Sequence, residues 1–130
     1  MERLHIASGS PWEGRVGYAR AVRAGAHVFV SGTTGTDETG SVVASDPYAQ
    51  AKAALARIAH ALHEAGVRPE DVVRTRIYVT DIAAQWEAVG RAHAEMFAGV
   101  RPACTMVEVR RLIAPDVLVE IEADAIVGGA

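Results

Sequence analysis

One segment alternates strictly between apolar and polar side chains directly after a helical pattern, and this order limits the folds open to the chain. Within residues 72–80 the first parity holds Val73, Thr75, Ile77 and Val79, and the second holds Arg74, Arg76 and Tyr78. A period of two is typical of a strand with one buried face. The preceding residues, from Ala51 to Ala65, repeat apolar side chains at helical spacing. A helix that leads into a half-buried strand favours a helix layer on a sheet.

The helix limits can be read from capping residues. Asp46 followed by Pro47 predicts a helix start, and Gly66 predicts its left-handed end. Asp81 begins a second helix, which ends near Gly99 before Pro102. We expect its buried seam to contain Ile82, Trp86, Val89, Met96 and Phe97.

The remaining segments predict strands and one long loop. A hairpin is expected from 18–24 and 27–31 around Gly25, followed by a loop over 32–40, and two more strands over 104–110 and 117–126. The order is β-β-α-β-α-β-β, with an additional edge strand over 4–8. Two long helices can cover one face of a single sheet, so we predict one two-layer α+β domain spanning residues 1–130.

One parity of the predicted strands is apolar and the other is unusually polar. The apolar set, expected under the helices, is Val28, Val30, Val73, Ile77, Val79, Val107, Val109, Val119 and Ile121. The polar set is Arg74, Arg76, Tyr78, Cys104, Met106, Glu108, Glu120, Glu122 and Asp124. A solvated face with cross-strand ion pairs would explain the polar set. Burial between subunits would also explain it, with paired charges, and we favour this second interpretation.

Charge and cysteine content limit the classes of partner and cofactor that the chain is expected to bind. The net charge is −3 and the chain has no run of Lys or Arg, so we expect no nucleic-acid partner. No signal peptide or membrane span is predicted, which favours the cytoplasm. Cys104 is the single cysteine and the five histidines show no metal-binding spacing, so no disulfide, metal or other cofactor is expected.

Five segments together resemble the YjgF/RidA family, also called the endoribonuclease L-PSP or translation inhibitor family. They are 18–25, 28–32, 71–81, 101–103 with 107–109, and 119–123. The similarity extends from about Val16 to Ile126. It implies a chorismate-mutase-like fold and a homotrimer, with a central β-barrel, helices outside, and small-molecule clefts between subunits.

The resemblance also implies a binding site with one departure. Family members that hydrolyse enamines and imines such as 2-aminoacrylate bind the substrate carboxylate through an arginine just after an Arg-Pro-Ala segment. Here that position is Cys104, followed by Thr105, and a thiol cannot replace a bidentate cation. Tyr18, the strand end Ser31-Gly32 and Glu120 match the other cleft positions. In the second helix, Gly90 stands where many active members have asparagine.

These residues define the candidate site. Glu120 is the candidate to position or activate a water, while Tyr18 and Thr105 could orient a substrate. Cys104 is a candidate nucleophile, although free cysteine is more often a small buried hydrophobe. Trp12 could line the cleft or pack over a sheet edge.

We therefore predict a protein that acts on or binds a small metabolite without efficient 2-aminoacrylate deaminase activity. Whether it is an enzyme stays open. The alternatives are a deaminase in which another cation, such as Arg20 or Arg110, binds the carboxylate, and a non-enzymatic metabolite-binding module. Endoribonuclease activity has the least support, since charge and aromatic content do not favour it.

Overall fold

Three helices and six strands make up residues 2–128, the part of the chain that the computed structural model describes. The strands are β1 (Arg3–Ile6), β2 (Ala21–Ala24), β3 (His27–Thr34), β4 (Val72–Val79), β5 (Ala103–Glu108) and β6 (Val119–Ile126). The helices are α1 (Pro11–Val16), α2 (Pro47–Glu64) and α3 (Ile82–Phe97), and a 3₁₀ turn (Pro69–Asp71) leads into β4.

The six strands form one mixed sheet in the order β1-β2-β3-β6-β4-β5. All neighbours are antiparallel except β4 and β5, which run parallel. The predicted α+β class and the order β-β-α-β-α-β-β are confirmed, together with the additional edge strand, here β1. The free edges of the sheet are β1 and β5.

Helices α2 and α3 cover one face of the sheet and pack against each other. Asp46 caps α2 by accepting a hydrogen bond from the backbone N–H of Ala49 at 2.8 Å, and Pro47 follows at the first helical position. Ala51, Leu55 and Ile58 of α2 are fully buried against the sheet. Within residues 2–128, no helix is both long and apolar enough to cross a membrane.

Two local predictions differ from the structure. The short helix α1 was not expected, although Ser10 and Pro11 carry the same start signal as Asp46 and Pro47. Six residues are too few to show helical periodicity. The predicted loop over 32–40 is wrong in its first part, because β3 continues to Thr34 after a shift in its register with β6 between Val30 and Thr33.

The face assignment of β5 is also wrong. Parallel pairing places Cys104 beside Thr75 and Met106 beside Ile77, so Cys104, Met106 and Glu108 lie on the helix side. Met106 packs against the core, and the Glu108 carboxylate accepts a hydrogen bond from the N–H at the start of α3. Val107, expected under the helices, is 41% exposed.

Two further residues expected in the core are exposed. Val73 lies at a register irregularity between β4 and β6, and Val72 is buried in its place. Trp86 is 52% exposed, because α3 buries Gln85 one residue earlier in the chain. The amide oxygen of Gln85 accepts the backbone N–H of Asp81 at 2.9 Å, which satisfies this buried polar group.

Candidate functional site

An open groove is lined by residues of α1, the ends of β3 and β6, α2 and the segment 111–117. Five of the predicted site residues line it: Trp12, Tyr18, Ser31, Gly32 and Glu120. Its volume of about 1810 Å³ exceeds the roughly 300–1,000 Å³ that encloses a small molecule in most proteins. One chain therefore forms an open groove that could contact one side of a small ligand, but it does not form a closed pocket.

The carboxylate of Glu120 lies directly over Gly32. A Cβ atom added to Gly32 would lie 2.9 Å from Cδ of Glu120 and closer still to Oε2, so a larger residue here would displace the Glu120 carboxylate. Burial raises the pKa of Glu120 above its ordinary value, the charge of Arg20 lowers it, and Glu122 raises it further. The result is a half-buried carboxyl group that accepts a proton more readily than an exposed glutamate.

Arg20 is buried and holds the strand end in place. Its Nη1 donates to the carbonyl oxygen of Gly32 at 2.7 Å and to Oγ1 of Thr33 at 2.8 Å. Its Nη2 donates to the hydroxyl oxygen of Tyr18 at 3.2 Å. Because Tyr18 accepts from Arg20, its own hydroxyl hydrogen remains available to a ligand in the groove.

The sequence did not single out Glu13, which partners Arg20 from α1. Its carboxylate lies 3.7 Å from Nε of Arg20 and also accepts hydrogen bonds from the backbone N–H and the hydroxyl of Ser8. Glu13 is buried, so the pair ties α1 to the base of the groove. Nothing in the sequence distinguishes Glu13 from the exposed acids of the chain.

Ser31 and Trp12 have different roles at the groove. The Ser31 hydroxyl donates to the carbonyl oxygen of Ala19 at 2.8 Å, so it secures the backbone next to Tyr18. Trp12 is 41% exposed at the groove, and the guanidinium of Arg15 lies 5.1 Å from its ring centroid. Trp12 therefore lines the groove, with the guanidinium of Arg15 over its ring.

Cys104 and Thr105 lie outside this groove, on the edge strand β5. Cys104 is exposed on the helix side, beside Thr75, whose Oγ1 lies 2.8 Å from Nε2 of His93. Burial lowers the pKa of His93, so its imidazole is neutral near pH 7. Within one chain, Cys104 and Glu120 lie on opposite faces of the sheet and do not share a site.

The polar face of the sheet forms ion pairs within the chain. Arg76 lies 3.3 Å from Asp124 and 3.6 Å from Glu122, and the Tyr78 hydroxyl donates to Glu122 at 2.7 Å. The bond to Glu122 raises the pKa of Tyr78. These groups are partly exposed in one chain, and their ion pairs fit both a solvated face and the predicted burial between subunits.

Comparison with known proteins decides the family. The family model described as endoribonuclease L-PSP matches residues 11–127. The chain belongs to this family.

Individual relatives agree with this assignment. The chain is 53% identical to a Mycobacterium tuberculosis member of the YjgF/YER057c/UK114 family, whose crystal structure matches it with a TM-score of 0.89 over 97% of this chain and 100% of that one. An uncharacterized protein of Streptomyces coelicolor is 42% identical over 120 residues, which is 92% of this chain and 89% of that protein. A RutC family protein of Pyrococcus abyssi is 37% identical over 109 residues, covering 83% and 84%.

These comparisons confirm the YjgF/RidA resemblance. Together with the groove, they support small-molecule binding as the general function of this chain.

Proposed function

We propose that the chain binds or converts a small metabolite at the groove around Glu120 and does not efficiently hydrolyse 2-aminoacrylate. The observation that carries this proposal is the half-buried Glu120 carboxylate. It lies over Gly32, and the charge of Arg20 lowers its pKa. Tyr18 presents its hydroxyl beside the same guanidinium. A proton acceptor and a hydrogen-bond donor thus line one concave surface.

The loss of efficient deamination follows from position 104. A cysteine side chain cannot form the two parallel hydrogen bonds that an arginine makes to a carboxylate. Loss of such a contact costs a few kcal/mol, or roughly two to three orders of magnitude in rate. A substrate that depends on a cation at this position is therefore turned over slowly.

The complete site requires a second copy of the chain in this proposal. Cys104 lies on edge strand β5, while Glu120 lies two strands away on the opposite face. A cleft with both residues can form only where β5 of one copy borders the groove of another. Such a cleft is consistent with the homotrimer and shared clefts that the family implies. We also propose that residues 1–130 form one domain and that the protein is cytoplasmic.

The chemistry in such a cleft would centre on Glu120. This carboxylate can accept a proton from a water, and Tyr18 and Thr105 can orient the ligand, one from each copy. A binding module uses the same contacts without turnover. The two functions differ in one observable, the release of product, and neither needs a metal or other cofactor.

Two measurements test the proposal. Pyruvate release from freshly generated 2-aminoacrylate should be about a hundred- to a thousand-fold slower than for a family member with arginine at this position. Sedimentation equilibrium should give a native mass of three times the 13.7 kDa chain. Turnover equal to the arginine-bearing protein would contradict the role given to position 104, and a monomer at micromolar concentration would remove the shared cleft.

A further inference from the structure

A second arginine, Arg57, reaches the groove from α2. Its Nη1 donates to the carbonyl oxygen of Thr34 and to Oγ1 of Thr36, each at 2.9 Å. Both acceptors lie at the end of β3, a few residues beyond Gly32. Arg57 is half-buried and lines the same groove as Tyr18 and Glu120.

The bonds of Arg57 leave one edge of its guanidinium open. A guanidinium carries five N–H donors, and Nη1 accounts for two of them. Within residues 2–128, neither Nε nor Nη2 of Arg57 has a hydrogen-bond partner, and no carboxylate forms a salt bridge with it. Nε and Nη2 point in the same direction and form the fork that fits the two oxygens of a carboxylate. The side chain is fixed on one edge and free on the other.

Among residues 2–128, the charged groups near Arg57 do not provide it with a carboxylate partner. Burial lowers the pKa of Arg57 and the nearby charge of Arg20 lowers it further, while Glu13 acts in the opposite direction. Glu13 is already engaged by Arg20 and Ser8. The acids that line the groove, Asp37, Glu38, Asp116, Glu120 and Glu122, outnumber its arginines. The open N–H fork of Arg57, and not the net charge of the groove, is therefore what selects an anion.

Resting on the function proposed above, we propose that Arg57, and not a cation at position 104, binds the carboxylate group of the ligand. Arg20, by contrast, donates through Nη1 to Gly32 and Thr33 and through Nη2 to Tyr18, and its buried Nε faces the Glu13 carboxylate at 3.7 Å. Arg110 does not line the groove. Arg57 holds the acid from the α2 side, so the ligand lies in a different orientation from one bound by a cation at position 104.

Pyruvate and its neutral amide, pyruvamide, are suitable probes for binding to the full-length protein, measured by calorimetry or by NMR. The wild type should bind pyruvate more tightly than pyruvamide. Arg57→Gln should weaken pyruvate binding by about ten- to a hundred-fold and leave pyruvamide binding unchanged. Arg57→Lys should retain part of the preference, since it keeps the charge without the fork.

Lys52→Gln is the matched control, because it removes one positive charge from the same helix at an exposed site paired with Glu95. It should leave both affinities unchanged. Should Arg57→Gln fail to fold, phenylglyoxal labelling of the wild type replaces it, with pyruvate and not pyruvamide protecting Arg57 in the mass spectrum.

Four results would overturn the assignment. Equal binding of pyruvate by Arg57→Gln and by the wild type, or labelling of Arg57 that pyruvate does not slow, removes Arg57 from the site. Binding of pyruvamide as tight as pyruvate keeps the groove as a small-molecule site and removes only the anion. Binding of neither probe counts against both the assignment and the proposed function.

Discussion

Substitutions of two glycines, one near the end of β3 and one just after it, should have different effects: one on the geometry of the groove and the other on the stability of the fold. In Gly32→Ala, the new Cβ would meet the carboxylate end of Glu120, which can rotate away. In Gly35→Ala, it would meet the backbone of Gln50, with Cα at 2.6 Å, about 0.8 Å inside the 3.4 Å at which ordinary contact begins. A helix backbone cannot move aside as a side chain can, so the second substitution should cost about 1–3 kcal/mol of folding stability.

Gly32→Ala should change stability by less than about 1 kcal/mol, because alanine also reduces the freedom of the unfolded chain. Its effect should fall on Glu120, which loses its place over the strand end. NMR titration of the Glu120 carboxyl should show its raised pKa returning toward the ordinary value. Denaturant midpoints, compared at one protein concentration because of assembly, should fall for Gly35→Ala alone. A destabilised Gly32→Ala with an unchanged Glu120 pKa, or a Gly35→Ala as stable as the wild type, would refute this reasoning.

Two further substitutions test the site. Glu120→Gln should raise the melting temperature more at pH 7 than at pH 4. The pKa of Glu120 is raised above 4.5, so its contribution to stability is present below pH 4.5 and is lost as the pH rises through the folded pKa. An equal shift of the melting temperature at both pH values would contradict this. Cys104→Arg should increase pyruvate release from 2-aminoacrylate while Cys104→Ser does not, and a folded Cys104→Arg without any gain would show that position 104 does not face the substrate.

Most of the fold could be predicted because its signals are local. Helix α2 has its cap at Asp46, its proline at position 47 and its apolar spacing in one continuous stretch. The face of β5 could not be predicted in this way, since a strand's own alternation does not say which parity faces the helices. The parallel pairing of Met106 with Ile77 decides it, and that pairing is a contact between distant parts of the chain.

The candidate site was predictable in its residue types and less so in its connections. Trp12, Tyr18, Ser31, Gly32 and Glu120 do line one groove. The sequence could not show the supporting charges, because Glu13 and Arg57 lie in helices where exposed acids and bases are common. Their roles depend on burial and on which N–H groups are already occupied, and both are properties of the folded chain.

The reversal of the β5 face changes the expected behaviour of position 104. On the polar face, Cys104 would have shared a surface with Glu120 within one chain, and an arginine there would have acted in a monomer. On the helix side of an edge strand it can reach a Glu120 only in a neighbouring copy. Activity gained by Cys104→Arg should therefore fall steeply once the protein is diluted below its assembly concentration, whereas binding at Arg57, which lies in the same chain as Glu120, should fall less.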